Sequence, residues 1–263
     1  MSTGVCSWCS SVPGPVGIVH CPRCDGELYC SVRCQKAHAQ THKLRCNPLD
    51  AKRRQEQKDD ELFYAAGRCD VSAVEALIAQ GSNVNYTEPS KGGSPLQYAA
   101  QEGHIAIVQL LVDSKADVNY CRPSDCATAL FIAAQQGHST VVKALITSGS
   151  DPSFVRPYDG VTPLFIACQE GRLEVVNVLI AAGVDLDLSR PNDLTTSLMV
   201  SVRQGHVEIV HALLTAGADP RLVDAAGHSA LFVAKHFDHP AIALMIESRI
   251  RQLTLTEAVA DAN

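Results

Sequence analysis

The sequence is poor in aromatic side chains. Phe, Tyr and Trp together make up 5% of its 263 residues, with a single Trp. A β-sandwich or barrel core draws on large side chains, whereas Ala, Leu and Val suffice between closely packed helices. Long apolar runs are also missing. No stretch approaches the roughly 18 residues a membrane-crossing helix requires, so no membrane partner is expected. The N-terminus lacks a basic-then-apolar leader pattern, which points to an intracellular chain, cytoplasmic or nuclear. No Gly-rich phosphate loop or nucleophile elbow occurs, which argues against an enzyme. Positive charge is scarce beyond the first segment. Residues 1–46 hold five Lys/Arg and two Asp/Glu, which leaves nine excess acidic charges on 47–263 in a chain of net charge −6. An acidic surface of that kind does not suit a nucleic-acid backbone.

What the chain has in abundance is repetition. Leucine recurs as Leu62, Leu96, Leu130, Leu164, Leu198 and Leu231, at steps of 34 and finally 33 residues. A turn position follows the same spacing as Cys69, Gly103, Gly137, Gly171, Gly205 and Asp238. A period near 33 with two helices per unit is the signature of a stacked solenoid. The clearest copy runs from Gly160 to Asp193. It holds Thr162-Pro163-Leu164, the small pair Ala167-Cys168, Gly171, an apolar run from Val175 to Ile180, and Gly183 before an Asp-rich turn. On those residues each unit resembles an ankyrin repeat, and the resemblance implies an array of about six repeats over residues 61–252.

Eleven cysteines need an account, and seven of them fall within the first 46 residues. Cys6 and Cys9 are separated by two residues, as are Cys21 and Cys24. Cys30 and Cys34 are separated by three, as are His42 and Cys46. The short spacing turns two thiolates toward one ion, and the longer one sets two ligands on one face of a helical turn. Eight ligands make two tetrahedral sites, for which zinc is the default metal with sulfur and one imidazole. Both sites would be full, which suits structure rather than catalysis. A segment this short has too few apolar residues for a core, and each structural zinc can contribute roughly 10–16 kcal/mol to folding. Seven thiolates and two zinc ions also cancel the local positive charge.

Residues 1–46 resemble a MYND-type zinc finger. The resemblance is carried by Tyr29-Cys30-Ser31, Cys34-Gln35, His42-Lys43 and the terminal Cys46. It implies interleaved sites, one of Cys6, Cys9, Cys30 and Cys34 and the other of Cys21, Cys24, His42 and Cys46. Spacing alone leaves the sequential pairing open. His38 competes with His42 on the same helical face, and the family pattern assigns the ligand to His42. MYND fingers bind short proline-rich segments. Gln35 matches one of the recognition positions; Ala39 stands where an aromatic residue is expected. The finger therefore has two readings, a peptide binder or a zinc-stabilised cap.

Residues 47–60 are strongly charged and read as a linker, either a solvated helix or a flexible tether. Asp59 and Asp60 are placed at the start of the following helix, where negative charge meets the helix dipole. The last repeat's second helix is expected to end near Leu253, with a frayed tail over 253–263.

Two features of the repeats bear on partners. Loops read Arg122-Pro123-Ser124-Asp125, Arg156-Pro157-Tyr158-Asp159 and Arg190-Pro191-Asn192-Asp193. They could form an arginine row for an acidic partner or an ion pair within each loop. The earlier loop, Glu88-Pro89-Ser90-Lys91, reverses the charges, which a local pair tolerates better than a partner would. The ankyrin pattern usually carries a histidine after Thr-Pro-Leu. Gln97, Phe131, Phe165, Met199 and Phe232 stand there instead, so apolar contact between repeats is expected to replace its hydrogen bond. The partner-facing candidates are Gln101, Gln135, Gln169, Glu170 and Arg203, at equivalent ends of the first helices, together with Gln35 of the finger.

These readings describe a mainly α protein, with a small two-zinc finger ahead of an α-solenoid. They imply a non-enzymatic protein–protein interaction adaptor that binds one protein on the array and a second partner or peptide on the finger. The alternatives are a zinc-capped scaffold and a regulatory part of a protein methyltransferase system. The last arises because MYND fingers also occur beside SET domains, although residues 61–252 leave no room for one.

Overall fold

The computed structural model describes residues 19–20, 28–29 and 48–260. The eight candidate zinc ligands, His38, Ala39 and Gln35 lie outside the described residues. The chain divides into two units, Met1–Asp60 and Glu61–Asn263. In the first, strands β1 (Val19–His20) and β2 (Leu28–Tyr29) pair antiparallel, with Val19 opposite Tyr29 and His20 opposite Leu28.

The first helix, α1 (Pro48–Gly67), begins far earlier than the sequence reading placed it. The charged segment is helical rather than a flexible tether, and Asp59 and Asp60 sit within the helix, not at its start. The physical reason is local. Lys, Arg, Gln, Glu and Ala are good helix formers, Pro48 suits a first turn, and side chains four apart support one another. Lys52 lies 3.7 Å from Glu56, and Gln55 Nε2 donates to Asp59 Oδ1 at 2.9 Å.

In the second unit helices follow in pairs. After α2 (Val71–Ala79) come α3 (Pro95–Glu102) with α4 (Ile105–Asp113), then α5 (Ala129–Gln136) with α6 (Ser139–Thr147). The next pairs are α7 (Pro163–Gln169) with α8 (Leu173–Ala181) and α9 (Ser197–Gln204) with α10 (Val207–Ala216). The last is α11 (Ala230–His236) with α12 (Pro240–Ala260). Each first helix from α3 to α11 starts at a hydroxyl. Ser94, Thr128, Thr162, Thr196 and Ser229 accept from the N–H three residues on, at 3.1–3.3 Å. Such a cap satisfies an amide the helix itself cannot. Ser94 and Gln97 complete a reciprocal capping box, and Pro95 and Pro163 occupy first positions where no N–H is needed.

Packing follows two rows. First helices lie against first helices of neighbouring pairs, and second helices against second helices. Ala99-Ala100, Ala133-Ala134 and Ala167-Cys168 are fully buried, and their small side chains let the first helices approach closely. Ile107, Val108 and Leu111 on α4 recur as Val141, Val142 and Leu145 on α6 and as Val175, Val176 and Leu179 on α8. The core is thus a continuous apolar ribbon to which each pair adds a segment.

The expected frayed tail is also corrected, because α12 continues to Ala260. Nothing in residues 253–260 breaks a helix. The hydroxyls of Thr254 and Thr256 bond back to the carbonyls of Arg251 and Gln252 at 2.9 and 2.7 Å.

Gly103 turns α3 into α4 with φ +76°, and a Cβ there would lie 2.6 Å from His138 Nδ1. Gly149 has φ +92° and nothing within 4 Å of a Cβ. Both Ala substitutions therefore cost the left-handed strain of about 1 kcal/mol, and Gly103→Ala should cost about 1 kcal/mol more by displacing the bonded ring. Urea midpoints of the two variants check this; equal losses would show that the ring moves freely.

Candidate partner-binding surface

Gly-His steps recur at the turns, and the structure shows what they do. His138 Nε2 donates to the carbonyl of Gln101 at 2.9 Å, and His206 Nε2 to that of Gln169 at 3.3 Å. His104 reaches Gly67 O at 3.1 Å, and Arg172 Nε takes the same role toward Gln135 O at 3.0 Å. Each spans 37 residues and ties one pair to the end of the previous first helix. These carbonyls lie in a last helical turn, where no intrahelical donor exists.

The candidate residues at those helix ends are thereby split. Their backbones serve the stack, and their side chains are left over. Gln101, Glu170 and Arg203 are exposed, whereas Gln135 and Gln169 are half-buried. Gln101 Nε2 donates to Glu102 at 3.0 Å and Gln169 Nε2 to Glu170 at 3.2 Å. Arg203 has no ion-pair or hydrogen-bond partner among the described residues.

The loop arginines behave as local pairs. Arg122 grips Asp125 through Nε and Nη2 at 2.9 and 2.6 Å. Arg156 grips Asp159 in the same two-pronged way. Arg190 is looser, 3.6 Å from Asp193. The guanidinium beside each holds the carboxyls of Asp125 and Asp159 below the usual range. Each aspartate also accepts an N–H two residues on, from Ala127, Val161 and Thr195. Glu88 does this differently. Its carboxylate accepts from the Ser90 hydroxyl and from the N–H groups of Ser90 and Lys91, at 2.7–3.0 Å. Those bonds, the hydroxyl foremost, lower its pKa.

The arginines have a second task that sequence spacing did not reveal. The Arg156 guanidinium lies 4.6 Å over the Phe131 ring, and Arg190 lies 5.4 Å over Phe165. These two loop arginines thus cover the aromatic residue of the preceding pair, whereas Arg122 follows Gln97. Phe131 and Phe165 are 1% and 2% exposed, as apolar contact between repeats requires. Two members of that row depart from the expectation. Gln97 keeps a polar link between repeats, since its Nε2 donates to Ala127 O at 2.8 Å and Tyr120 O at 3.2 Å. Phe232 is 48% exposed, because no further loop arginine overlies it among the described residues.

Phe232 instead belongs to an open ladder. Its ring stacks on His228 at 4.3 Å and lies parallel to His236 at 6.0 Å, and His236 meets Phe237 edge-on at 5.1 Å. Met199, Arg203, His228, Phe232, His236 and Phe237 border a cavity of about 300 Å³ between α9 and α11. Sequence reasoning singled out Arg203 here and missed the aromatic residues beside it. Their signal was the position of Phe232 in the helix pair that no further loop follows among the described residues.

Among the described residues no group of three or more His, Cys, Asp or Glu side chains could hold a metal. Four cysteines there are free. Burial pushes the Cys168 thiol up to about 12, which keeps it protonated. The donor set suited to zinc is that of residues 6–46, seven thiols and the His42 imidazole.

A family model described as a MYND finger matches residues 6–46. A model described as ankyrin repeats in three copies matches residues 34–121, 62–156 and 130–224. No curated protein matches the chain.

Arg156→Ala removes an ion pair and a ring contact together, and should lower stability at pH 7 by about 1–2 kcal/mol. Arg122→Ala removes the Asp125 pair without a ring contact beside it and should cost less. The folded Asp159 carboxyl lies below its unfolded value of about 3.9. Its contribution is therefore complete above that value and lost as pH falls through the folded one. Urea unfolding of Arg156→Ala should accordingly show a shallower loss of stability below about pH 4 than the parent.

Proposed function

The chain belongs to the ankyrin-repeat proteins, with a MYND finger ahead of its array, and from that premise we propose that it is a non-enzymatic adaptor. Both modules are interaction modules rather than catalytic ones. The array, read as six repeats, binds one protein partner through the side chains left over at its first-helix ends. Gln101, Gln135, Gln169, Glu170 and Arg203 supply that surface. The observation that carries this reading is the division of polar groups. Junction histidines and loop arginines are consumed inside the array, whereas Gln101 and Arg203 are exposed at equivalent positions and Glu170 at the position that follows.

The finger holds two structural zinc ions, one on Cys6, Cys9, Cys30 and Cys34 and the other on Cys21, Cys24, His42 and Cys46. Zinc supplies folding energy there and no chemistry. The finger offers a second partner, or a short proline-rich peptide, a surface that includes Gln35. A second reading has a specific observation behind it. Ala39 stands where a peptide-binding finger carries an aromatic residue, which favours a finger that serves only as a zinc-stabilised cap. The chain works inside the cell, in cytoplasm or nucleus.

Affinity capture from a cell lysate with the intact chain, Cys30→Ser, and the triple variant Gln101→Ala, Glu170→Ala, Arg203→Ala tests the proposal. An adaptor loses a different subset of partners in each variant; retention of every partner by both would sink it. Metal analysis should find two zinc ions in the intact chain and fewer in Cys30→Ser. Repeat melting that falls together with zinc content identifies the cap reading instead.

A further inference from the structure

The equivalent first-helix position runs along the array as Gln101, Gln135, Gln169, Arg203 and His236, and the next position as Glu102, Gln136, Glu170, Gln204 and Phe237. The surface is therefore graded. Its N-terminal part carries carboxylates, and its C-terminal part carries a guanidinium, imidazoles and exposed rings. The gradient ends at the cavity between α9 and α11.

Three facts set the chemistry of that cavity. Phe232 and Phe237 are 48% and 46% exposed, although the two inner phenylalanines equivalent to Phe232 are covered by loop arginines. Large exposed rings grouped in a concavity mark contact sites more often than single surface residues do. Arg203 borders the cavity without a partner, while several arginines elsewhere in the array are matched: Arg122, Arg156 and Arg221 with aspartates and Arg172 with a carbonyl. The nearby acid does not neutralise it. Asp224 accepts from the N–H groups of Ala226 and His228 at 2.9 and 2.8 Å and faces His228 Nδ1 at 3.3 Å. The lysine on α11, Lys235, is already bound to Glu247 at 2.9 Å.

We infer that this cavity is the docking point for an acidic segment of the array's protein partner, one in which a carboxylate flanks a large apolar side chain. The carboxylate pairs with Arg203, whose planar fork accepts two oxygens. The apolar side chain enters beside Met199 and packs on the Phe232 and Phe237 rings. The inference deepens the adaptor reading and rests on it. It also gives the partner a direction, because the partner's acidic end meets the C-terminal repeats and its neutral or basic end meets Glu102 and Glu170.

The test uses the full chain and nine fluorescein-labelled Gly/Ser dodecapeptides. In each, a Glu-Glu pair precedes one Leu, Phe or Trp by one, two or three residues. Two counterpart sets carry Lys for the acids or Ser for the apolar residue. Fluorescence anisotropy should find at least one parent peptide bound about ten-fold more tightly than both of its counterparts. Arg203→Ala and Phe232→Ser should each weaken it about ten-fold, Arg203→Lys by less, and Lys143→Ala, at an exposed position of α6, should leave it unchanged. Sodium chloride should weaken binding of the acidic peptide. Circular dichroism confirms that each variant is folded.

Equal binding of the lysine set, indifference to Arg203→Ala, or no binding by any of the nine would overturn the inference. Its fate separates from that of the adaptor reading. Lysate partners captured by the intact chain and kept by Arg203→Ala and Phe232→Ser leave the adaptor standing and remove this cavity as its site. Peptide binding without lysate capture does the reverse.

Discussion

One hydrogen bond carries the register of the array, the one that runs at four successive junctions from the turn of a pair to the end of the first helix before it. A helix leaves its last carbonyls without intrahelical donors, and in a stack those carbonyls are shielded from water by the next pair. His104, His138, Arg172 and His206 meet that demand one junction at a time. The left-handed glycine at the turn makes room for the ring that bonds there. Most other features follow from the geometry this contact sets. The small residues on the first helices can touch, the apolar second helices line up, and the side chains at the helix ends are left facing outward.

Much of this was legible before any coordinates. The 34-residue period, the hydroxyl caps and the recurring Gly-His turn are local patterns, and local patterns survive in a sequence. What escaped notice depended on residues that meet only when repeats stack. Arg156 and Phe131 are 25 positions apart, and nothing in either loop or helix announces that one covers the other. Gln97 looked like a lost histidine, yet an amide can donate twice, and it bonds two carbonyls of the next loop. Phe232 looked like its buried equivalents, but burial there is supplied by a neighbour. For the candidate zinc ligands the position is reversed, since they rest on spacing and on the family match over residues 6–46.

The loop arginines show how a modest interaction becomes useful by being shared. An ion pair at a half-exposed site contributes little on its own, and an exposed cation–ring contact about 0.5–1 kcal/mol. Joined in one guanidinium, the two fix a loop to its own aspartate and to the preceding repeat. The Glu88 loop achieves the first of these with a hydroxyl and two amides, and the Arg122 loop keeps its Asp125 pair although the position beneath it is Gln97 rather than phenylalanine. The ring contact forms where a loop arginine meets a phenylalanine, at Phe131 and Phe165, and the aspartate pair forms whether or not a ring lies beneath.

The 37-residue junction bond also makes the array's length a quantised variable. Donor and acceptor recur at a constant offset, so excising one whole unit of 34 residues returns every remaining partner to an equivalent neighbour. With residues 126–159 removed, Arg172 would meet Gln101 O in place of Gln135 O, and the hydroxyl caps and apolar ribbon would rejoin in phase. A deletion of 30 residues would leave the junction across the cut unmatched. Such a chain can lengthen or shorten in whole repeats at little structural cost, and its reach toward a partner would change in steps of one helix pair.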